Sequence, residues 1–132
     1  MKTFSLEVLT PDRQFFVGQV EFLILPIIDG EFGVQAGHEP VVTIVKPGTL
    51  RYRIDGEWHF AAVTSGIAEI MHDYTVLLLS AAERPEEIDV ARAEAAKQRA
   101  EERLRQKASD QDIVSSKAAL ARAMARLSTR QF

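Results

Sequence analysis

With 132 residues, 46% of them hydrophobic and 27% charged, the chain has the composition of one ordinary globular domain, or of a compact domain with a small appendage. A formal net charge of −3 gives no electrostatic reason to expect nucleic acid, and the absence of cysteine rules out disulfides, thiolate metal sites and a cysteine nucleophile. The longest apolar run, around residues 75–79, is far too short to cross a membrane, so any membrane association is expected through a partner, without direct insertion.

Residues 1–7 lack the apolar core of a signal peptide and read as a strand. Phe4, Leu6 and Val8 alternate with Ser5, Glu7 and Leu9, a half-buried pattern that ends at the turn Thr10-Pro11-Asp12-Arg13. A short strand from Phe15 to Val17 should stop at Gly18, and the next, Val20–Leu25, at Pro26. Asp29-Gly30 between apolar runs marks a hairpin, and Gln35–Pro40 reads as loop. Strands follow at Val41–Val45 and Leu50–Ile54, parted by Lys46-Pro47-Gly48; Asp55-Gly56 then turns the chain into Trp58–Val63. Ser65-Gly66 breaks it, and Ile67–Met71 and Tyr74–Ser80 close the series around His72-Asp73. Short strands at regular spacing with turn signals between them predict a β-sandwich or flattened barrel.

The composition changes near residue 82. All seven glycines, and every aromatic except Phe132, precede it; beyond it alanine is the commonest residue. Residues 1–81 carry 5 basic and 10 acidic side chains, residues 82–132 carry 11 and 9. Alanine with Glu, Lys and Arg signals helix, so an α+β chain of two domains is expected, 1–83 and 84–132. Glu83–Glu87 reads as a polar linker, Asp89 as the N-cap of a helix running to about Lys107, and Ser109 with Asp112 as the cap of a second helix. Ala93, Ala96, Ala100 and Leu104 form one apolar stripe; Ile113, Leu120, Met124 and Leu127 form the other. The short connection favours an antiparallel pair.

No catalytic constellation is present: His38, His59 and His72 are scattered, and no nucleophile elbow, phosphate-cradling loop or metalloprotease pair occurs, so neither a catalytic nor a metal site is expected. The sandwich reads instead as a platform for another protein. The distinctive chemistry lies in the helices. Arg92 and Arg99 are two turns apart and Arg122 and Arg126 one, so each pair shares a helix face. Folded side by side, the helices would gather four guanidinium groups, whose planar forks suit phosphate oxygens. The plainer alternative is a solvated pair of helices whose arginines meet Glu94, Glu101 and Glu102.

Here the residues carry a family resemblance. Val8-Leu9-Thr10-Pro11-Asp12, the run Gly30–Val34 leading to Gly37-His38-Glu39-Pro40, Ser65-Gly66 before Glu69-Ile70, and Ala81-Ala82-Glu83 make the chain similar, over essentially its full length, to the epsilon subunits of F-type ATP synthases. The resemblance implies a ten-stranded β-sandwich followed by an antiparallel two-helix hairpin. Its ATP-binding bacterial members carry Ile/Leu-Asp-x-x-Arg-Ala, matched here by Ile88, Asp89, Arg92 and Ala93; their further contacts fall on Glu83, Arg99, Arg122 and Arg126. The resemblance also implies a non-catalytic regulatory subunit of the ion-translocating rotary complex, peripheral on the cytoplasmic side of the bacterial membrane. Its sandwich would hold the gamma subunit and the c-ring, with Glu31 and His38 in the rotor-facing loop. Its hairpin, folded when ATP is bound as a regulatory ligand (its magnesium requirement open), would otherwise extend toward the catalytic alpha and beta subunits and inhibit hydrolysis. The alternative is a structural coupling subunit or a protein-binding adaptor without nucleotide sensing. The chain departs from the family at Gln35-Ala36, where Leu-Pro is frequent, and at Ile67, where a second glycine is frequent.

Overall fold

The computed structural model describes residues 2–106 and 109–132. Among these, ten strands form two five-stranded sheets: β1 Phe4–Leu9, β2 Gln14–Val20, β3 Phe22–Ile27, β4 Gly30–Val34, β5 Val41–Val45, β6 Gly48–Ile54, β7 Glu57–Val63, β8 Gly66–Ile70, β9 Tyr74–Leu79 and β10 Ala82–Glu83. The first sheet runs β2-β1-β9-β8-β5 and the second β10-β7-β6-β3-β4. β1 and β9 pair in parallel and the other pairs are antiparallel. The alternation that predicted β1 holds: Phe4, Leu6 and Val8 point inward and meet Leu23, Leu25, Leu50, Val63 and Leu77 in a single core between the sheets. Each large aliphatic side chain buried there contributes roughly 1.5–3 kcal/mol.

Both hairpins signalled by Asp-Gly form, one of them with its turn a residue earlier than the dipeptide. At Asp55-Gly56 the two φ angles are 49° and 80°, the left-handed pair that a two-residue turn between β6 and β7 requires. At the other, the turn is Ile28-Asp29, and Gly30, at φ 124°, opens β4 opposite Ile27. Gly66 answers a different demand: a Cβ there would stand 2.1 Å from the Leu78 carbonyl oxygen.

Two punctuation signals mislead. Gly18 does not end β2 but pairs with Leu6 in mid-strand, where a Cβ would come within 3.1 Å of the Phe16 ring, which packs on Tyr52. Pro26 lies inside β3 opposite Glu31. Pairing of β3 with β6 ends at Ile24, so on that side no ladder bond is asked of the proline nitrogen. The residues read as a linker are also structured. Ala82-Glu83 pairs with β7, adding a tenth strand after the nine legible ones, and Pro85–Glu87 forms one 3-10 turn.

The helices are α1, Val90–Gln106, and α2, Asp110–Arg130; the expected end of the first at Lys107 lies outside the described residues. Both predicted caps form: Arg92 N donates to Asp89 Oδ1 at 3.0 Å, and Asp112 N to Ser109 Oγ at 3.2 Å. The helices pack on each other, and α2 rests on β6 and β7 of the second sheet. Small side chains set this contact. Ala93 and Ala100 are buried on α1, and Ser116, Ala123, Ala125 and Thr129 on α2. Met124, assigned to the apolar seam, is instead half exposed. One residue away, Ala123 permits a closer helix approach than a methionine would.

Candidate functional site

Where α1, α2 and the end of the sandwich meet, they enclose a cleft of about 580 Å³. Each element delivers its residues for a local reason. The 3-10 turn directs the chain from β10 into Asp89, whose cap starts α1 with Arg92 and Ala93 in its first turns and Arg99 two turns further on. The second helix, packed along the first, supplies Arg122 and Arg126. Seven of the eight residues expected to contact nucleotide line this one cleft: Glu83, Asp89, Arg92, Ala93, Arg99, Arg122 and Arg126. Ile88 does not; it is buried, 6% exposed, at the end of the 3-10 turn. Glu87, Arg103, Ala96, Ala100, Ala119 and Ala123 complete the lining.

Five arginines thus face three carboxylates, all of them engaged: Asp89 caps α1, and the other two meet arginines. Glu83 accepts a hydrogen bond from Arg126 Nε, a pair that ties α2 to β10. Glu87 receives both terminal nitrogens of Arg13, at 2.9 and 3.1 Å, and the Arg84 backbone N–H at 2.8 Å. The Arg13 bond, followed by the Arg84 backbone bond, lowers the Glu87 pKa to about 2. Among the described residues Arg92, Arg99, Arg103 and Arg122 form no ion pair. The glutamates expected to neutralise them do not: Glu102 pairs with Arg105 at 2.6 Å, and among the described residues Glu94 and Glu101 form no ion pair. Arg103 was legible in principle, since it follows Arg99 by one helical turn. Glu87 was not, because its partner lies 74 residues away.

The two rotor-loop residues sit elsewhere. Glu31, on β4, is exposed and 3.5 Å from Arg51. His38 lies in the following loop, its ring 5.3 Å from that of Phe32 and its Nδ1 2.7 Å from the Glu39 carbonyl oxygen, so the loop folds back along β4. Among the described residues no group of three or more His, Asp or Glu is placed to hold a metal ion, and no helix is long and apolar enough to cross a membrane.

Fold and cleft together define a sandwich platform carrying a helical hairpin with a cationic cleft at the joint. Residues 3–85 match the family ATP synthase, Delta/Epsilon chain, beta-sandwich domain, and residues 86–131 match ATP synthase, Delta/Epsilon chain, long alpha-helix domain. The chain belongs to the epsilon subunit family of the F-type ATP synthase central stalk. It is 58% identical over 128 residues to the ATP synthase epsilon chain of Ruminiclostridium cellulolyticum, covering 97% of this chain and 96% of that one. Against the epsilon chain of Caldanaerobacter subterraneus subsp. tengcongensis it is 50% identical over 127 residues, covering 96% and 92%. A chain of the Euglena gracilis mitochondrial ATP synthase, in a structure of OSCP, F1 and c-ring, shares the fold with a TM-score of 0.85 at 22% identity, covering 98% of this chain and 82% of that chain.

Proposed function

We propose that this subunit couples ion-driven rotation to ATP synthesis and restrains ATP hydrolysis through its hairpin, whose folded form ATP stabilises by binding the cleft. The observation that carries the reading is the cleft itself: four arginines without ion-pair partners among the described residues face a space of nucleotide size. Arg92, Arg99 and Arg122 would take phosphate oxygens. Asp89 and Glu83, which line the same cleft, would take the nucleoside end, where the small Ala93 would leave room. Arg126 already holds Glu83, so it would link ligand to sandwich. Without a bound anion the arginines repel one another, which favours opening of the hairpin toward the catalytic subunits. ATP shifts this balance only by binding the closed form better; at a hundredfold excess over its Kd it adds about 2.7 kcal/mol.

The gamma subunit has a matching surface on the opposite sheet. Ile44, Ile67 and Leu78 occupy adjacent register positions on β5, β8 and β9, all at least half exposed, with Val42 beside them. Such an unpartnered apolar row is the expected footprint of a stable subunit contact. The loop bearing His38 would face the c-ring, placing the subunit on the cytoplasmic side of the membrane.

Calorimetric titration of the chain with ATP and then ADP tests the cleft. ATP should bind more tightly than ADP, and Arg99→Ala should weaken ATP by roughly 1.5–3 kcal/mol, the worth of a charge-assisted hydrogen bond. Absence of heat with either nucleotide at millimolar concentration would leave a coupling subunit without a nucleotide sensor.

A further inference from the structure

Beyond the cleft, the end of α2 is fastened to the sandwich at a separate place. Thr129 is fully buried, and its Oγ1 lies 2.7 Å from Oγ1 of Thr49 on β6. Three residues on, the Phe132 ring lies flat on Phe60 of β7, with centroids 4.3 Å apart and planes within 4°. The Arg51 guanidinium carbon stands 5.5 Å from the centroid of the same ring. Arg51 and Phe60 are direct cross-strand partners, and Thr49 is two residues before Arg51, so one two-strand platform receives these contacts. Phe132 remains 53% exposed; the stack, not engulfment in a core, sets its position. None of these residues lines the cleft.

Elsewhere along α2 the buried side chains are small, Ser116, Ala123 and Ala125, and each removes little apolar surface from water. Beside the Arg126–Glu83 pair, an aromatic stack and a part-buried hydroxyl pair are therefore a large share of what holds α2 down. At the base of the hairpin the Arg13–Glu87 pair fixes the 3-10 turn to the sandwich, so α2 can be released while the turn stays anchored.

We infer that Thr129 and Phe132 form a latch that closes the hairpin on the sandwich without nucleotide, and that they are thereby positioning residues of the cleft. The latch holds the same helix that carries Arg122 and Arg126, so it sets the fraction of molecules whose cleft is assembled. Apparent ligand affinity scales with that fraction. The link to nucleotide rests on the ATP reading above; the link to hairpin closure does not.

The test uses the natural lack of cysteine. Spin labels on the full chain at Glu57→Cys and Lys117→Cys, both exposed, report the distance between sandwich and α2 by pulsed electron resonance. Without nucleotide, Phe132→Ala and Thr129→Val should each raise the open-to-closed ratio roughly three- to tenfold, the worth of one aromatic pair or buried polar contact. Phe132→Tyr should retain the closed distance, as should Val114→Ala, an exposed α2 control. ATP should then show a correspondingly weaker apparent affinity for the two latch variants. Distances unchanged in both variants, or disturbed equally by Val114→Ala, would overturn the latch. Opening in the variants with no response to ATP would uphold the latch and refute the nucleotide reading instead.

Discussion

Thr75 sits in the core of the sandwich, 1% exposed, opposite Leu6 and Ile70 on its two neighbouring strands. Among the described residues its Oγ1 has no hydrogen-bond partner. A buried hydroxyl without a partner costs free energy, and valine has the same shape without it. Thr75→Val should therefore stabilise the fold by about 1 kcal/mol, read as a higher urea midpoint at unchanged slope. Glu87 gives the opposite kind of case, a charge held in its ionised form. Its folded pKa is lowered to about 2, chiefly by Arg13, from an ordinary value of 4.5. A depressed carboxylate contributes stability that is complete above its unfolded pKa and is lost as pH falls through the folded one. Urea midpoints of the parent should thus fall between about pH 4.5 and 2 more steeply than those of Glu87→Gln, with the difference greatest above that window. Equal slopes in the two proteins would detach this pair from the acid stability of the chain.

The joint between the two parts belongs to the element scale. Sequence composition places the boundary at 83–84, yet Arg84 and Glu87 are bound into the sandwich: Arg84 Nη2 donates to the Phe15 carbonyl at 2.9 Å, both Arg13 and Arg84 lie over the Phe15 ring, and Ile88 is buried. A chain ending at Ile88 should fold as a sandwich. One ending at Glu83 should fold less stably by about 1 kcal/mol, through loss of the Arg84 bond to the Phe15 carbonyl and of the half-exposed Arg13–Glu87 pair. Identical melting of the two would return the boundary to residue 83. The same segment shows what local pattern reveals. Alternation and Asp-Gly turns display strands, and arginines at helical steps display a cleft, because periodicity acts within a few residues of the chain. The order β2-β1-β9-β8-β5 and the Arg13–Glu87 pair depend on groups brought together from far apart, and no local signal carries them. Gly18 and Pro26 misled for a related reason. Their meaning is set by the Phe16 ring and by where the neighbouring strand ends, not by their own preference.

At the scale of the whole molecule, the two parts differ in how they are held. The sandwich closes a core of leucines, valines and isoleucine with backbone ladders on every strand, whereas the hairpin rests on alanines, a threonine pair and an aromatic stack. Burial of that kind makes the sandwich open only globally and the hairpin locally. A ligand that bridges α1, α2 and β10 can act only on the second process, since the sandwich core contributes no residue to the cleft. Amide hydrogen exchange on the full chain therefore has a distinct expected form. Without nucleotide, amides in α1 and α2 should exchange well before those of β1, β8 and β9. Saturating ATP should slow the helical amides by up to roughly a hundredfold, the equivalent of about 2.7 kcal/mol at a hundred times the Kd, and leave the core strands unchanged. Arg122→Ala, which removes a cleft cation on an exposed side chain, should abolish that slowing and, by relieving repulsion among the remaining arginines, modestly slow helical exchange in the absence of nucleotide. Protection spread evenly over both parts would mean that hairpin and sandwich open as one unit, and a switch that moves the helices alone would then have no physical basis.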